Sequence, residues 1–254
     1  MASLSSRSLP SDLVKSALVG ALAFAAMLVH GQEASPALTR TQAQCTGKGD
    51  VTFRAADRTR LVGHTFGRGS TVVVLAHESR SSMCRWVPYA KRLATKGYRV
   101  FVFDFRNHGL SQQVGYGRRS ARLAGDVVAA ARYVRTQRAK KVFLVGASMG
   151  GGAVLVGGAN IRPPVDGVVS LSGPASFGGV DAAPAVPRLR APVLYLAAAD
   201  DGGGGFAADA KALYETTASP DRAIEVLPGT AHGVSLVSSP GPARDLVEQF
   251  LAAH

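Results

Sequence analysis

From residue 50 onward the chain alternates short apolar runs with segments of helical spacing, and that alternation limits its fold more than any other feature. "TVVVLAH" (71–77), "YRVFVFDF" (98–105), "KVFLVGA" (141–147), "VDGVVSLSG" (165–173), "APVLYLAAA" (191–199) and "AIEVLPG" (223–229) read as strands. The first is apolar at every position but its ends, as a strand covered on both faces must be. Between these runs the spacing predicts helices over 85–97, closed by Gly97, over about 119–138, from Ser148, over about 205–217 and over about 242–252. Ahead of them, "VTFRAADRTRLVGHTFG" (51–67) reads as two strands around an AADRT turn, an antiparallel hairpin. Strands joined through helices pair in parallel, so the expected class is α/β: a mostly parallel central sheet with helices on both faces. In such sheets chemistry gathers at the carboxyl ends of the strands.

The 254 residues, 46% of them hydrophobic, suit one domain with a sizeable core. The first 44 are set apart from it. Arg7 and Lys15 precede "SALVGALAFAAMLV" (16–29), an uncharged apolar run shorter than the ~20 residues a spanning helix needs. Small and polar residues, "HGQEASPA", follow. This order of parts predicts a secretory signal peptide, with an uncleaved N-terminal membrane anchor as the alternative. The expected organisation is a signal peptide and disordered N-terminal segment over 1–44, then a folded domain over 45–254 without a stable membrane span in the mature form. The expected location is secreted or periplasmic. Cys45 and Cys84, the two cysteines, both lie beyond that segment. An oxidising compartment predicts a disulfide between them, tying the start of the mature chain to the region after the third strand.

A net charge of +12 invites a nucleic-acid reading. The cations are mostly Arg and scattered, and the densest run, Arg132, Arg135, Arg138, Lys140 and Lys141, closes a predicted helix, where cations favour the negative end of its dipole. No zinc-finger or RNA-binding spacing accompanies them, so no nucleic-acid partner is expected.

Against this frame "VGASMGGG" (145–152) places Ser148 directly after a strand and at the start of a helix, with Gly146 and Gly150 on either side. A turn that tight brings backbones too close for flanking side chains, and it leaves the serine proud of the sheet at a helix N-terminus. The plainer reading is a helix N-cap serine beside packing glycines. A serine that attacks a carbonyl needs a base, and the base needs an orienting carboxylate. Two histidines follow Ser148: His254, the terminal residue, expected to fray, and His232 in the turn-rich "PGTAHGVSL" after the last predicted strand. His232 is the candidate base. Asp200 and Asp201, at the carboxyl end of the preceding strand, are both candidate acids, and chain direction alone does not choose between them. Asp221 lies before the last strand and Glu225 inside it, so both are weaker candidates.

Together "GASMG", the "AHG" loop, "FDFRNHGLS" (103–111) and "VVVLAHES" (72–79) resemble the α/β-hydrolase family over about residues 50–254. The third resembles the family's D-x-R-G-H-G-x-S segment and the fourth its strand ending in His-Gly. "SMGGG" (148–152) is similar to secreted or lipase-like bacterial esterases. The resemblance implies an α/β-hydrolase catalytic domain over 45–254 and a Ser148, Asp201, His232 triad, Asp201 being ranked above Asp200 by its place after the strand. It also implies an oxyanion hole built from the amides of Met149 and Ser79. Two positions depart from the pattern: Glu78 and Asn107 stand where the family has glycine. A carboxylate at Glu78 is expected either to oppose the oxyanion or to turn to solvent. The implied reaction is cleavage of carboxylic esters through an acyl-enzyme, without metal or organic cofactor; His64, His77 and His108 read as structural. The alternatives are another acyl bond (peptide, thioester, lactone or dienelactone) or a catalytically silent binding module. The short, Pro-rich stretch between Gly173 and Pro192 leaves no room for a helical cap, which opens the site to bulky or polymeric esters as well as small ones. Phe105, Trp86 and Met149 are candidate apolar walls, the first two reading better as core.

Overall fold

The computed structural model describes residues 45–115, 117 and 122–254. The expected signal peptide and the rest of the 1–44 segment lie outside the described residues. The sequence resolves into β1 (Val51–Arg54), β2 (Arg60–Phe66), β3 (Thr71–Ala76), α1 (Val87–Thr95), β4 (Arg99–Asp104), α2 (Leu123–Thr136), β5 (Lys141–Ala147) and α3 (Met149–Asn160). There follow β6 (Gly167–Leu171), the two-residue strands β7 (Ser176–Phe177) and β8 (Val180–Asp181), β9 (Val193–Ala198), α4 (Gly205–Thr216), β10 (Arg222–Leu227), a short α5 (Ser235–Ser238) and α6 (Pro242–Ala253). The helix expected over about 119–138 is α2; residues 118–121 lie outside the described residues.

The main sheet runs β1-β2-β4-β3-β5-β6-β9-β10. β1 and β2 form the expected hairpin, β2 pairs antiparallel with β4, and every later pairing is parallel. Its interior strands are apolar at nearly every position because each is covered twice. Val72, Val74 and Ala76 of β3 enter one core with α2, α3 and α4, while Val73 and Leu75 enter the other with α1 and α6. The strand period of two splits one sequence run between two cores. Phe105 and Trp86 are fully buried in these cores, which makes them packing residues.

Between β6 and β9 the described chain carries only the β7–β8 ribbon and a 3₁₀ turn, Val186–Arg188, and no helical cap. One terminal expectation is corrected. His254 does not fray: its Nδ1 lies 2.9 Å from the Phe250 carbonyl, its Nε2 2.9 Å from Asp221, its ring meets that of Phe250, and Lys141 binds its backbone carbonyl. Those contacts also remove Asp221 from the choice of acid, since its carboxylate is engaged at a distance from His232's partner.

Candidate active site

The parallel pairing brings the carboxyl ends of β3, β5, β6, β9 and β10 to one edge of the sheet, and each leads into a candidate residue: Glu78, Ser148, Ser172, Asp201 and His232. Ser148 sits at φ 50° and ψ −119°, a conformation that costs a non-glycine residue energy and that the surrounding turn imposes. It makes no side-chain capping bond to α3, so the geometry gives the N-cap reading no support. The flanking glycines are steric necessities. A Cβ on Gly146 would stand 2.1 Å from the Gly150 carbonyl oxygen, and one on Gly150 would stand 2.3 Å from that of Ala76. Strand β3, the elbow and α3 are therefore in backbone contact.

His232 is presented by the loop after β10, and its Nδ1 lies 2.8 Å and 2.9 Å from the two carboxylate oxygens of Asp201. Asp201 is 4% exposed, whereas Asp200 points outward and contributes its backbone N–H to the Gly229 carbonyl. The chain thus brings Asp201, not Asp200, to the imidazole. The turn that does this is "DGGGG": Gly202, Gly203 and Gly204 all take positive φ. The tetraglycine, which as sequence reads as a loose segment, is a left-handed turn setting Asp201 on one side of His232 and Phe206 on another. The Phe206 ring lies 4.5 Å from the imidazole and also forbids a Cβ on Gly202, which would meet it at 2.9 Å. Next to His232, Gly233 faces the residue before Ser148: a Cβ built there would be 3.4 Å from that of Ala147.

The loop after β3 is organised from below by His77. The ring is fully buried; its Nε2 accepts the Phe105 N–H at 3.1 Å and its Nδ1 faces the Glu78 carbonyl at 2.7 Å, which fixes the tautomer with the proton on Nδ1. Burial, reinforced by His108 nearby, pushes its pKa down to about 3, so the ring is neutral near neutral pH. Asp104 completes the base of the loop, accepting the Met83 and Leu110 N–H groups at 2.8 Å each. Its burial raises its pKa against those two amides. Gly109 must be glycine because its Cβ position lies 2.0 Å from that carboxylate at φ 49°. Asn107, the departure in the same segment, adopts the left-handed conformation at φ 63° and accepts the Val114 N–H with its side chain, so the fold keeps the turn without the glycine. Arg106 is buried between Asp57 and Asp126 and reads as scaffold. His64 pairs with Asp50 at 2.9 Å, outside this cluster.

Glu78 does not turn freely to solvent. Its side chain turns to the histidine loop, where Oε2 accepts the Val234 N–H at 3.2 Å and Oε1 stands 3.5 Å from Arg85 Nε. Sequence reading missed this role, and it missed Ser172 as well, whose Oγ accepts the Gly233 N–H at 3.1 Å from φ 48°. It also missed Phe206. None belongs to a short motif; a glycine after the histidine was the one visible sign that something crowds that loop. The disulfide is present: Cys45 and Cys84 are joined across 5.6 Å between Cα atoms, Cys84 lying in the 3₁₀ turn Met83–Trp86 that follows the Ser79 loop.

Residues 68–184 match a family model described as "Serine aminopeptidase, S33". That span holds Ser79, Ser148 and Met149 but ends before Asp201 and His232. Among solved structures, an esterase of Pyrococcus furiosus superposes with a TM-score of 0.71 at 19% identity, covering 84% of this chain and 92% of its own. An esterase of a Rhodococcus species gives 0.66 at 20% identity over 80% and 98%. A monoacylglycerol lipase of Paleococcus ferrophilus gives 0.65 at 19% identity over 76% and 99%.

Proposed function

From its α/β-hydrolase fold we propose that the chain is a serine hydrolase of carboxylic esters. The observation that carries the reading is the Asp201–His232 pair, held at 2.8 Å on a loop that packs against the residue before a strained, uncapped Ser148. In the proposed reaction Ser148 Oγ attacks the ester carbonyl while His232 Nε2 takes its proton. Asp201 keeps the other ring N–H oriented and stabilises the imidazolium. The amides of Met149 and Ser79 receive the oxyanion, a helix N-terminus adding to the first. His232 then protonates the departing alcohol, and water, activated by the same histidine, releases the acid. Among the described residues β6 and β9 are joined without a helical cap, which supports access by bulky esters.

The disulfide supports an extracytoplasmic location, consistent with export by the N-terminal segment. Among the described residues no helix is long and apolar enough to cross a membrane. The description of the matching family favours a second reading, cleavage of a peptide bond, by the same triad.

Hydrolysis of short and medium p-nitrophenyl esters by the wild type and by Ser148→Ala tests the proposal. The expected loss in the variant is roughly ten-thousand-fold or more, with unchanged circular dichroism. Equal rates in the two proteins would reject it, and aminoacyl p-nitroanilides cleaved in place of esters would favour the peptide reading.

A further inference from the structure

Glu78 follows the carboxyl end of β3 and is not used by the proposed triad, and it occupies a place where a carboxylate beside a developing oxyanion would be costly. Its carboxylate points to the histidine loop and to Arg85. Its Oε2 accepts the N–H of Val234, two residues beyond His232, at 3.2 Å. Its Oε1 stands 3.5 Å from Arg85 Nε, and Arg85 Nη2 in turn donates to Ser235 Oγ at 3.0 Å. Glu78, Arg85, Ser235 and the Val234 amide therefore close a ring joining the Ser79 loop, the disulfide-bearing turn and the histidine loop. The Glu78 side chain is 17% exposed, partly screened from water, whereas that of Arg85 is 48% exposed. Gly233 is shaped to this carboxylate: a Cβ there would stand 2.3 Å from Oε2, and its φ is 54°. Its own N–H is held by Ser172 from the end of β6. The two amides that follow the base are thus fixed by side chains from two different strands.

We propose that Glu78 is a positioning residue, whose carboxylate clamps the histidine loop to the loop carrying the second oxyanion donor, so that base and donor keep one register. The inference rests on the hydrolase reading. A purely structural role would cost stability and leave the turnover of the folded protein intact. A positioning role predicts a fall in kcat with KM little changed, since a small displacement of a base from its working geometry can cost up to roughly a hundredfold.

The test compares wild type, Glu78→Ala, Glu78→Gln, Gly233→Ala and the Glu78→Ala/Gly233→Ala double variant, in ester turnover and in the rate of Ser148 labelling by a fluorophosphonate. Glu78→Ala is expected to lose roughly tenfold to a hundredfold in both rates, with KM within about twofold. Glu78→Gln, whose amide oxygen still accepts the Val234 N–H, is expected to recover to within about threefold of wild type. Gly233→Ala carries a backbone cost from its φ of 54° that remains in any background, and a further cost from driving a methyl into the carboxylate that should vanish once Glu78 is alanine, so the double variant should fall short of additivity; this comparison stands even if Glu78→Gln folds poorly. An active wild type with a folded, fully active Glu78→Ala, or strictly additive penalties in the pair, overturns the clamp alone. A wild type inert to both ester and fluorophosphonate overturns the hydrolase reading and the clamp with it.

Discussion

The glycine-flanked elbow at Ser148 and the histidine loop lie side by side at one sheet edge and are held in opposite ways. The elbow is fixed by the backbone: Gly146, Gly150 and Gly151 approach Gly150, Ala76 and Gly173 so closely that no side chain fits, and Ser148 is forced into its conformation by them. The histidine loop has backbone bonds of its own, Asp200 N–H to the Gly229 carbonyl and Ser235 N–H to that of His232, but no glycine packed backbone to backbone in that way. It is held by side chains arriving from elsewhere in the chain: Asp201 and Phe206 beyond β9, Ser172 after β6 and Glu78 after β3. A site built this way places Ser148 chiefly through sterics and His232 chiefly through side-chain hydrogen bonds, so the two halves should fail differently when mutated.

The largest expected difference is in the acid. Asp201→Asn keeps the shape but presents an amide to His232 Nδ1, favouring the wrong tautomer, and should lower kcat by about ten-thousand-fold. Asp200→Asn alters an outward-facing side chain and should stay within about twofold of wild type. Steady-state ester kinetics on the pair decides it; equal losses would mean that the base is held by something other than Asp201.

That contrast also measures what could be read from sequence. The sheet, the elbow and His232 were legible because each is written locally, in apolar runs, in glycines two residues from a serine, in one histidine in a turn. The choice between Asp200 and Asp201 came from the family resemblance; the residues alone left it open, because it depends on three successive left-handed glycines that turn the chain after β9. The contact made by Glu78 was not legible for the same kind of reason. Its partner is an amide 156 positions away in the chain, and only the parallel order of β3, β5, β6, β9 and β10 brings the two together.

The disulfide probes the side-chain-held half from outside. It closes a loop with a sequence separation of 39, which in the chain-entropy view is worth about 4 kcal/mol of stability. A Cys45→Ser/Cys84→Ser variant should lose stability of that order in urea denaturation, while at low temperature kcat stays within about threefold, because Asp104 also pins the turn through the Met83 N–H. A large kcat loss in the folded variant would show that the Ser79 loop depends on the bridge itself. The backbone-held half is probed by Gly150→Ala. Its Cβ would sit 2.3 Å from the Ala76 carbonyl oxygen and 2.7 Å from that of His77, neither of which can swing away. Overpacking of that kind should cost about 3 kcal/mol. A melting temperature near wild type would show that the elbow is more yielding than its glycines imply.

The smallest effect separates the two halves by pH. His77 supports the Ser79 loop only as a neutral ring, since one nitrogen accepts from Phe105 and the other donates to the Glu78 carbonyl. Its pKa falls from 6.5 in the free side chain to about 3 in the fold. Between those values the unfolded chain binds a proton that the folded chain refuses, so this contribution to stability is full above about pH 6.5 and is lost as pH falls toward 3. The slope is about 1.4 kcal/mol per pH unit at most. His77→Asn should be less stable than wild type near neutrality yet show a shallower decline on acidification, the difference growing smaller step by step below pH 6.5. His108 and Asp104, which face the ring, are common to both proteins and cancel to first order in the comparison. Parallel stability curves would mean that the ring is protonated in the folded state. The loop after β3 would then be held by a charge, as the histidine loop is held by Glu78 and Asp201, and the distinction would narrow to the elbow alone.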